Sequence, residues 1–236
     1  MNRGLVVEDV EKRFGNLYAL DGISLSVSEG ECVGLIGPNG AGKTTLFNVI
    51  TGFMKPEKGK IEYNGKSLIG LPPEKIQKIG LTRTFQAVQV FDNLTVKENI
   101  LIGTTGKKVE PSEDVFCDEI LSKLGFSGKE DLPAKDLSHG MKKRLGIGIG
   151  MATSPEVLLL DEPFGGIESK EIKDVVSILS ELHEEGLTEV IVDHKVKNLL
   201  EFVDRAIVMN AGEVICEGEP SEIVEDKEVR RVYLEG

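Results

Sequence analysis

One glycine-rich segment has the residue types and the spacing that binding a phosphate chain requires. The segment is Gly37-Pro38-Asn39-Gly40-Ala41-Gly42-Lys43-Thr44, and Thr45 follows it. It fits the pattern G-x-x-x-x-G-K-[ST], in which glycines let the backbone approach the phosphates and backbone N–H groups face the anion. In such a loop Lys43 reaches the β- and γ-phosphates, and the Thr44 hydroxyl is an oxygen ligand for Mg²⁺. We therefore predict a nucleotide site at residues 37–45.

A second segment joins an apolar run to two carboxylates. Residues 157–160 are predicted to form a buried strand, and Asp161 and Glu162 follow it directly. Carboxylates at the end of a buried strand are costly unless they are used or paired, so this pair is a candidate for chemistry. Asp161 is suited to hold Mg²⁺ through water, and Glu162 is suited to polarise an attacking water as a general base.

The hydrophobic pattern predicts the elements that must position these residues. Short apolar strands alternate with amphipathic helices, one of which we expect to begin at Ser169 and end at Gly186. This alternation predicts an α/β fold with a largely parallel sheet. Residues 72–153 are mostly helical in pattern, with loops predicted at 103–111 and 125–133. We expect a single domain over 1–236, with a core at 1–85 and 155–236 and a helical insertion at about 86–154.

Composition and charge exclude several classes of function. The chain has 236 residues, with 40 Asp and Glu against 28 Lys and Arg, a net charge of −12. This charge disfavours wrapping of nucleic acid and electrostatic attachment to anionic lipid, so a protein partner would have to hold the chain at a membrane. No run of 18 apolar residues and no signal-peptide pattern is present, and the three cysteines match no metal or redox spacing. We expect free thiols and a cytoplasmic protein.

A third motif carries a resemblance to a known family. Leu137-Ser138-His139-Gly140-Met141 precedes a helical stretch rich in Lys and Arg. At this place, between the phosphate loop and the acidic strand, the ATP-binding cassette (ABC) family of transporter ATPases has the signature Leu-Ser-Gly-Gly-Gln, which the segment resembles. Ser138 and Gly140 match that signature, whereas His139 and Met141 depart from it. A serine hydroxyl and a glycine at a helix N-terminus suit a γ-phosphate.

Further family motifs occur in the same order along the chain. The resemblance implies that Gln86, in Arg83-Thr84-Phe85-Gln86, touches Mg²⁺ and the attacking water, and that His194, in Val192-Asp193-His194, contacts the γ-phosphate. Phe14, in Lys12-Arg13-Phe14-Gly15, would stack on adenine, a contact worth about 1–3 kcal/mol. Gly165-Gly166-Ile167-Glu168 resembles the D-loop, with Glu168 where the family more often has Asp.

The resemblance implies an ABC ATPase fold, with an N-terminal antiparallel β subdomain and an inserted α-helical subdomain. It implies hydrolysis of ATP with Mg²⁺ between two cassettes arranged head to tail, as a homodimer or with a sister cassette. ATP would lie between Lys43, Thr44, Asp161, Glu162 and His194 of one subunit and Ser138 and Gly140 of the other. The implied partners are integral-membrane permease subunits and, indirectly, an extracytoplasmic solute-binding protein. The chain would then be peripheral on the cytoplasmic face of the cell membrane, without nucleic acid.

Two segments narrow the resemblance within the family. The chain is similar to the cassettes of branched-chain amino acid importers in two places. The first comprises residues 82–86 and 90–99, and the second comprises the C-terminal residues 226–234. A urea or amide importer and a lipopolysaccharide-type exporter remain alternatives. A soluble ABC ATPase acting on nucleic acid or ribosomes is a different class, disfavoured by the acidic charge, and a non-enzymatic regulatory subunit would be marked by His139, Met141 and Glu168. A GTPase is excluded because the chain has no Asn-Lys-x-Asp motif.

Overall fold

A computed structural model describes residues 4–86, 89–105 and 112–234. Within these ranges the strands and helices alternate as the hydrophobic pattern predicts. The strands are β1 (Gly4–Phe14), β2 (Leu17–Ser28), β3 (Cys32–Ile36), β4 (Lys58–Tyr63), β5 (Lys66–Ser67), β6 (Leu81–Arg83), β7 (Val157–Asp161), β8 (Thr188–Val192), β9 (Arg205–Asn210) and β10 (Glu213–Gly218). The helices are α1 (Lys43–Ile50), α2 (Pro73–Ile79), α3 (Val96–Thr104), α4 (Glu113–Lys123), α5 (His139–Ala152), α6 (Ser169–Glu184), α7 (Val196–Leu200), α8 (Pro220–Glu225) and α9 (Lys227–Leu234).

The central sheet has the strand order β10-β9-β3-β8-β7-β6. Its first pair, β10 and β9, is antiparallel, and the other neighbours are parallel. All five residues of β3, β7 and β8 are buried, as expected for parallel strands covered on both faces. The predicted α/β class with a mostly parallel sheet is therefore confirmed. Because β3 and β7 both run toward the same edge of the sheet, the residues that follow them are brought to one side of the molecule.

A second, antiparallel sheet has the order β2-β1-β4-β5, which confirms the predicted N-terminal β subdomain. Its β1 is 11 residues long and its β2 is 12 residues long, and Phe14 is the last residue of β1. The inner face of this sheet packs with one face of the central sheet through Val7, Leu20 and Leu35, all of them buried. The extension of β1 positions Phe14 at the edge of the core rather than inside it.

Two details differ from the sequence prediction. Strand β6, which lies in the stretch predicted to be mostly helical, pairs in parallel with β7 because its short apolar segment adds an edge to the sheet. Helix α3 continues to Thr104, so the loop predicted from residue 103 begins later, and residues 106–111 lie outside the described part of the chain. Helix α6 begins at Ser169 as predicted, and Glu168 precedes it as the N-cap in a capping box with Glu171.

Helices α3, α4 and α5 form the insertion and share one buried cluster with the central sheet. The glycines of α5 have different surroundings. A Cβ at Gly148 would collide with Leu124 and Ile100, whereas a Cβ at Gly146 would meet nothing within 4 Å. Close packing therefore explains Gly148. Cys32 and Cys117 are buried and Cys216 is half-buried, and the described residues contain no disulfide. In the described residues, we find no helix with both the length and the apolar character needed to cross a bilayer.

Candidate nucleotide-binding and hydrolysis site

The glycine-rich segment forms the turn between β3 and α1. Gly42 is the N-cap of α1 with φ of 104°, a left-handed conformation that favours glycine, and no side chain caps the helix. The free N–H groups of this helix end are therefore available to an anion. Lys43 is buried, and its Nζ donates to the carbonyl oxygens of Gly37 at 2.6 Å and Pro38 at 2.9 Å. The loop thus holds its own lysine inside the curve of its backbone.

Burial lowers the pKa of Lys43, while Glu162 and Asp161 oppose that effect. The same two carboxylates lie at the end of β7, beside the loop. Incoming phosphate oxygens would give the ammonium group stronger partners than the two neutral carbonyls it now contacts. The arrangement therefore suits binding of a polyphosphate at this end of the sheet.

Three predicted catalytic side chains meet around the carboxylate of Glu162. Glu162 Oε2 accepts from Gln86 Nε2 at 2.9 Å, and Glu162 Oε1 lies 3.0 Å from His194 Nε2. Because a carboxylate only accepts, the amide of Gln86 is the donor in its hydrogen bond, while His194 Nε2 makes a close polar contact with the other oxygen. Each carboxylate oxygen keeps a second acceptor site for another donor, such as a water molecule.

The backbone holds these three side chains in place. Glu162 has φ of 52°, an unfavourable value for a residue with a side chain, and its N–H donates to the Val192 carbonyl at 2.7 Å. Asp193 accepts from the backbone N–H groups of Phe164 and Lys195, each at 2.8 Å, and so fixes the turn that presents His194. Burial raises the pKa of Asp193.

Asp161 is 3% exposed and is paired with Arg83, whose side chain is 4% exposed. Arg83 Nη2 contacts Asp161 Oδ2 at 2.6 Å, and Arg83 Nη1 donates to Asn48 Oδ1 at 2.6 Å. The other carboxylate oxygen, Oδ1, is buried and has no hydrogen-bond partner. This unpartnered carboxylate oxygen and the hydroxyl of Thr44 in the phosphate loop are both hard oxygen donors, the type of ligand that Mg²⁺ prefers.

An open cleft of about 660 Å³ connects most of these groups. Phe14 is 50% exposed on its rim, which leaves the ring free to stack on a planar base. Four of the predicted residues lie next to the cleft but do not line it, namely Gly37, Pro38, Ala41 and Asp161. Those that line the cleft are Phe14, Asn39, Gly40, Gly42, Lys43, Thr44, Thr45, Gln86, Glu162 and His194.

Ser138 and Gly140 do not line this cleft. They lie at the N-terminus of α5, where Ser138 is the N-cap and its hydroxyl accepts from the Met141 N–H at 3.2 Å. A single chain therefore does not bring the two halves of the predicted ATP site together. This separation is what the predicted head-to-tail pairing of two cassettes requires.

Sequence reasoning assigned no role to two buried cations of the site, Arg83 and Lys143. Lys143 Nζ donates to the carbonyl oxygens of Gln86 at 2.9 Å and Glu162 at 2.8 Å, and so ties α5 to both catalytic segments. Burial lowers its pKa. The signal was present in the sequence, because Lys143 is spaced with Gly140 and Ile147 along the buried face of α5.

The phosphate loop, the acidic strand end and the parallel sheet define a P-loop nucleotide-binding protein. The ABC transporter family model matches residues 20–165, more than half of the chain. The chain belongs to the ABC transporter family of ATP-binding cassettes. It is an ATPase, and its nucleotide is ATP.

Curated relatives match over almost the whole length of the chain. The high-affinity branched-chain amino acid transport ATP-binding protein LivG of Salmonella typhimurium is 37% identical over 98% of this chain and 97% of that protein. The lipopolysaccharide export system ATP-binding protein LptB of Haemophilus influenzae is 34% identical over 98% of this chain and 96% of that protein. The names of these two relatives refer to different systems, one for transport of branched-chain amino acids and one for export of lipopolysaccharide.

Solved structures agree with this assignment. The ADP conformation of the ATP-binding cassette MJ1267 has a TM-score of 0.90 and 34% identity, and the match covers 100% of both chains. The dimeric structure of the bacterial ABC transporter cassette MJ0796 has a TM-score of 0.79 and 28% identity over 92% of this chain and 98% of that one. The predicted ABC ATPase fold is therefore confirmed.

Proposed function

We propose that this chain is the ATP-hydrolysing subunit of an importer for branched-chain or related amino acids. The observation that carries the hydrolytic part is the contact of Glu162 with both Gln86 and His194 beside the phosphate loop. The choice of solute is supported by the LivG relatives and by the residues around Gln86 that resemble branched-chain amino acid cassettes.

In this proposal each residue has a distinct role. Lys43 and the backbone N–H groups of the phosphate loop, in which Pro38 has none, bind the β- and γ-phosphates, and Phe14 stacks on the adenine. Glu162 accepts a proton from the attacking water, while Gln86 and His194 hold its carboxylate in position. Thr44, Asp161 and Gln86 would hold Mg²⁺, which neutralises charge on the phosphate oxygens.

Ser138 and Gly140 complete the site from a second cassette, which is either a copy of this chain or a related chain. The separation of these residues from the cleft supports this arrangement, as does the dimeric form of the MJ0796 cassette. Binding of ATP would close the pair, and hydrolysis would reopen it.

We further propose that permease subunits hold the chain at the cytoplasmic face of the membrane and dock beside Gln86. Phe53 is 53% exposed, and its ring packs edge-on against Phe85 at 5.5 Å between centroids. This apolar surface is one residue from Gln86, so a partner bound there would sense motion of the Gln86 segment. An extracytoplasmic binding protein would act through the permease.

Purification of the tagged chain from native membranes in mild detergent, followed by mass spectrometry, tests this proposal. We expect two polytopic permeases to copurify with the wild type and with the control Val224→Ser, whose side chain is also 53% exposed. Phe53→Ser should lose the permeases while keeping ATP hydrolysis. Recovery of ribosomal or DNA-repair proteins instead would refute the transport role.

The solute is tested separately by uptake of labelled leucine and labelled urea in cells that lack this chain. Restoration of leucine uptake by the wild type and not by Glu162→Gln would support the proposed solute class. An exporter is the second candidate, because the LptB relative is 34% identical to the chain. If cells that lack this chain take up both leucine and urea normally but accumulate lipopolysaccharide precursors, the exporter is favoured.

A further inference from the structure

The N-terminal ends of α5 and α6 are joined by a hydrogen bond that the proposed mechanism does not use. The Ser138 hydroxyl donates to Glu171 Oε1 at 3.1 Å, while it accepts from the Met141 N–H at 3.2 Å. Glu171 Oε2 accepts from the Glu168 N–H at 3.3 Å as part of the capping box of α6. Because a hydroxyl has one proton, Ser138 has none left to donate while this contact lasts.

The carboxylate of Glu171 also lies against Gly140. A Cβ placed on Gly140 would collide with the carboxylate of Glu171, so the two are in direct contact. Ser138 itself is exposed at the surface. One carboxylate therefore touches both residues to which the proposed function assigns the γ-phosphate of the partner's ATP.

We propose that Glu171 competes with the γ-phosphate for the Ser138 hydroxyl and so restrains ATP-driven pairing of two cassettes. This inference rests on the proposed function. In a separate subunit, the negative carboxylate takes the place that the phosphate oxygens take in the pair. Pairing then requires the Ser138 proton to change its acceptor from Glu171 to the phosphate. It also brings two anionic groups together, which opposes association.

The substitution Glu171→Gln removes the negative charge and leaves the fold intact. Glutamine also suits the third position of a capping box, so α6 keeps its N-terminal hydrogen bond. Its amide oxygen accepts from Ser138 more weakly than a carboxylate does, and it does not repel phosphate. The variant is therefore expected to stay folded and to pair more readily, a gain that general damage to the fold would not produce.

The test measures ATP-dependent dimerisation by analytical ultracentrifugation. The parent is Glu162→Gln, which is expected to bind ATP without turning it over. Glu171→Gln is added to this parent, and Asp174→Asn is added separately as a control that removes one exposed charge from the same helix. Because a symmetric dimer contains the contact twice, the effect per site enters the dimerisation constant squared. We expect half-maximal dimerisation at roughly a tenfold lower protein concentration with Glu171→Gln, since a tenfold change corresponds to about 1.4 kcal/mol.

The outcomes separate this inference from the proposed function. A shift with Glu171→Gln and none with Asp174→Asn supports the competition. If the parent pairs with ATP and Glu171→Gln pairs at the same or a higher concentration, the inference is wrong and the proposed arrangement stands. If Asp174→Asn shifts dimerisation by the same amount, the effect comes from the net charge of the chain, and the inference is also overturned. If neither the parent nor its Glu171→Gln form pairs, the pairing of two copies of this chain is itself refuted.

Discussion

The buried ion pair between Arg83 and Asp161 gives the largest predicted effect on stability. Substitution of Arg83 by methionine would leave the carboxylate of Asp161 in a place where it is only 3% exposed, without its cationic partner at 2.6 Å. Removal of one partner from a buried pair costs about 3–5 kcal/mol, because the remaining charge is neither solvated nor neutralised. Typical domains have about 5–15 kcal/mol of stability, so we expect Arg83→Met to lose a large part of it.

Urea unfolding followed by far-UV circular dichroism measures this loss. The control is Arg230→Met, because Arg230 pairs with Glu225 while their side chains are 50% and 76% exposed. An exposed pair contributes about 0–1 kcal/mol, so the control should unfold near the wild-type midpoint. A loss of stability below about 1 kcal/mol in Arg83→Met would show that Arg83 and Asp161 do not form a buried ion pair, since a buried unpaired carboxylate costs more free energy than that.

A double-mutant cycle extends the test to the pair itself. Asp161→Leu alone should also destabilise the fold, because it leaves the guanidinium of Arg83 buried without its carboxylate. The double variant Arg83→Met/Asp161→Leu should be more stable than the two separate losses predict, by at least about 2 kcal/mol, since it leaves no unpaired charge. Simple additivity of the two losses would contradict a direct interaction.

Three further predictions concern other parts of the molecule. Gly148→Ala should cost about 1–3 kcal/mol of stability by overpacking, whereas Gly146→Ala, with open space for its Cβ, should stabilise α5 by up to about 1 kcal/mol; equal urea midpoints would contradict this. Burial raises the pKa of Glu189 from 4.5 to about 8, so the protonated form is favoured in the fold and stability should fall by about 3 kcal/mol between pH 4.5 and 7. Glu189→Gln should flatten that fall in urea unfolding at several pH values, and an unchanged slope would show that Glu189 is not responsible. Phe14→Ala should weaken ATP binding by roughly 5- to 150-fold, the equivalent of about 1–3 kcal/mol of stacking; unchanged affinity for a fluorescent ATP analogue would remove Phe14 from the site.

Local patterns in the sequence were enough to predict the sheet and the phosphate loop. β3, β7 and β8 are continuous apolar runs, and the loop motif follows β3 directly, so hydrophobicity and spacing determine both. β6 could not be recognised, because three residues carry too little periodicity and its pairing with β7 is a long-range contact.

The candidate site was predicted as a set of residues but not as a network. Gln86, Glu162 and His194 come from three separate segments, and their mutual contact depends on how β6, β7 and β8 end at one edge of the sheet. The buried roles of Arg83 and Lys143 were missed because long cationic side chains are usually solvent-exposed, and only the surrounding fold shows that these two are enclosed.

Release of phosphate from Mg-ATP by the wild type and by Glu162→Gln tests whether Glu162 is the general base of ATP hydrolysis. We expect steady turnover by the wild type, and by Glu162→Gln an almost complete loss of turnover with ATP binding retained. Binding of labelled ATP to the same samples provides the second half of the comparison. If Glu162→Gln turns over ATP at the wild-type rate, the carboxylate that Gln86 and His194 contact is not the base that activates water.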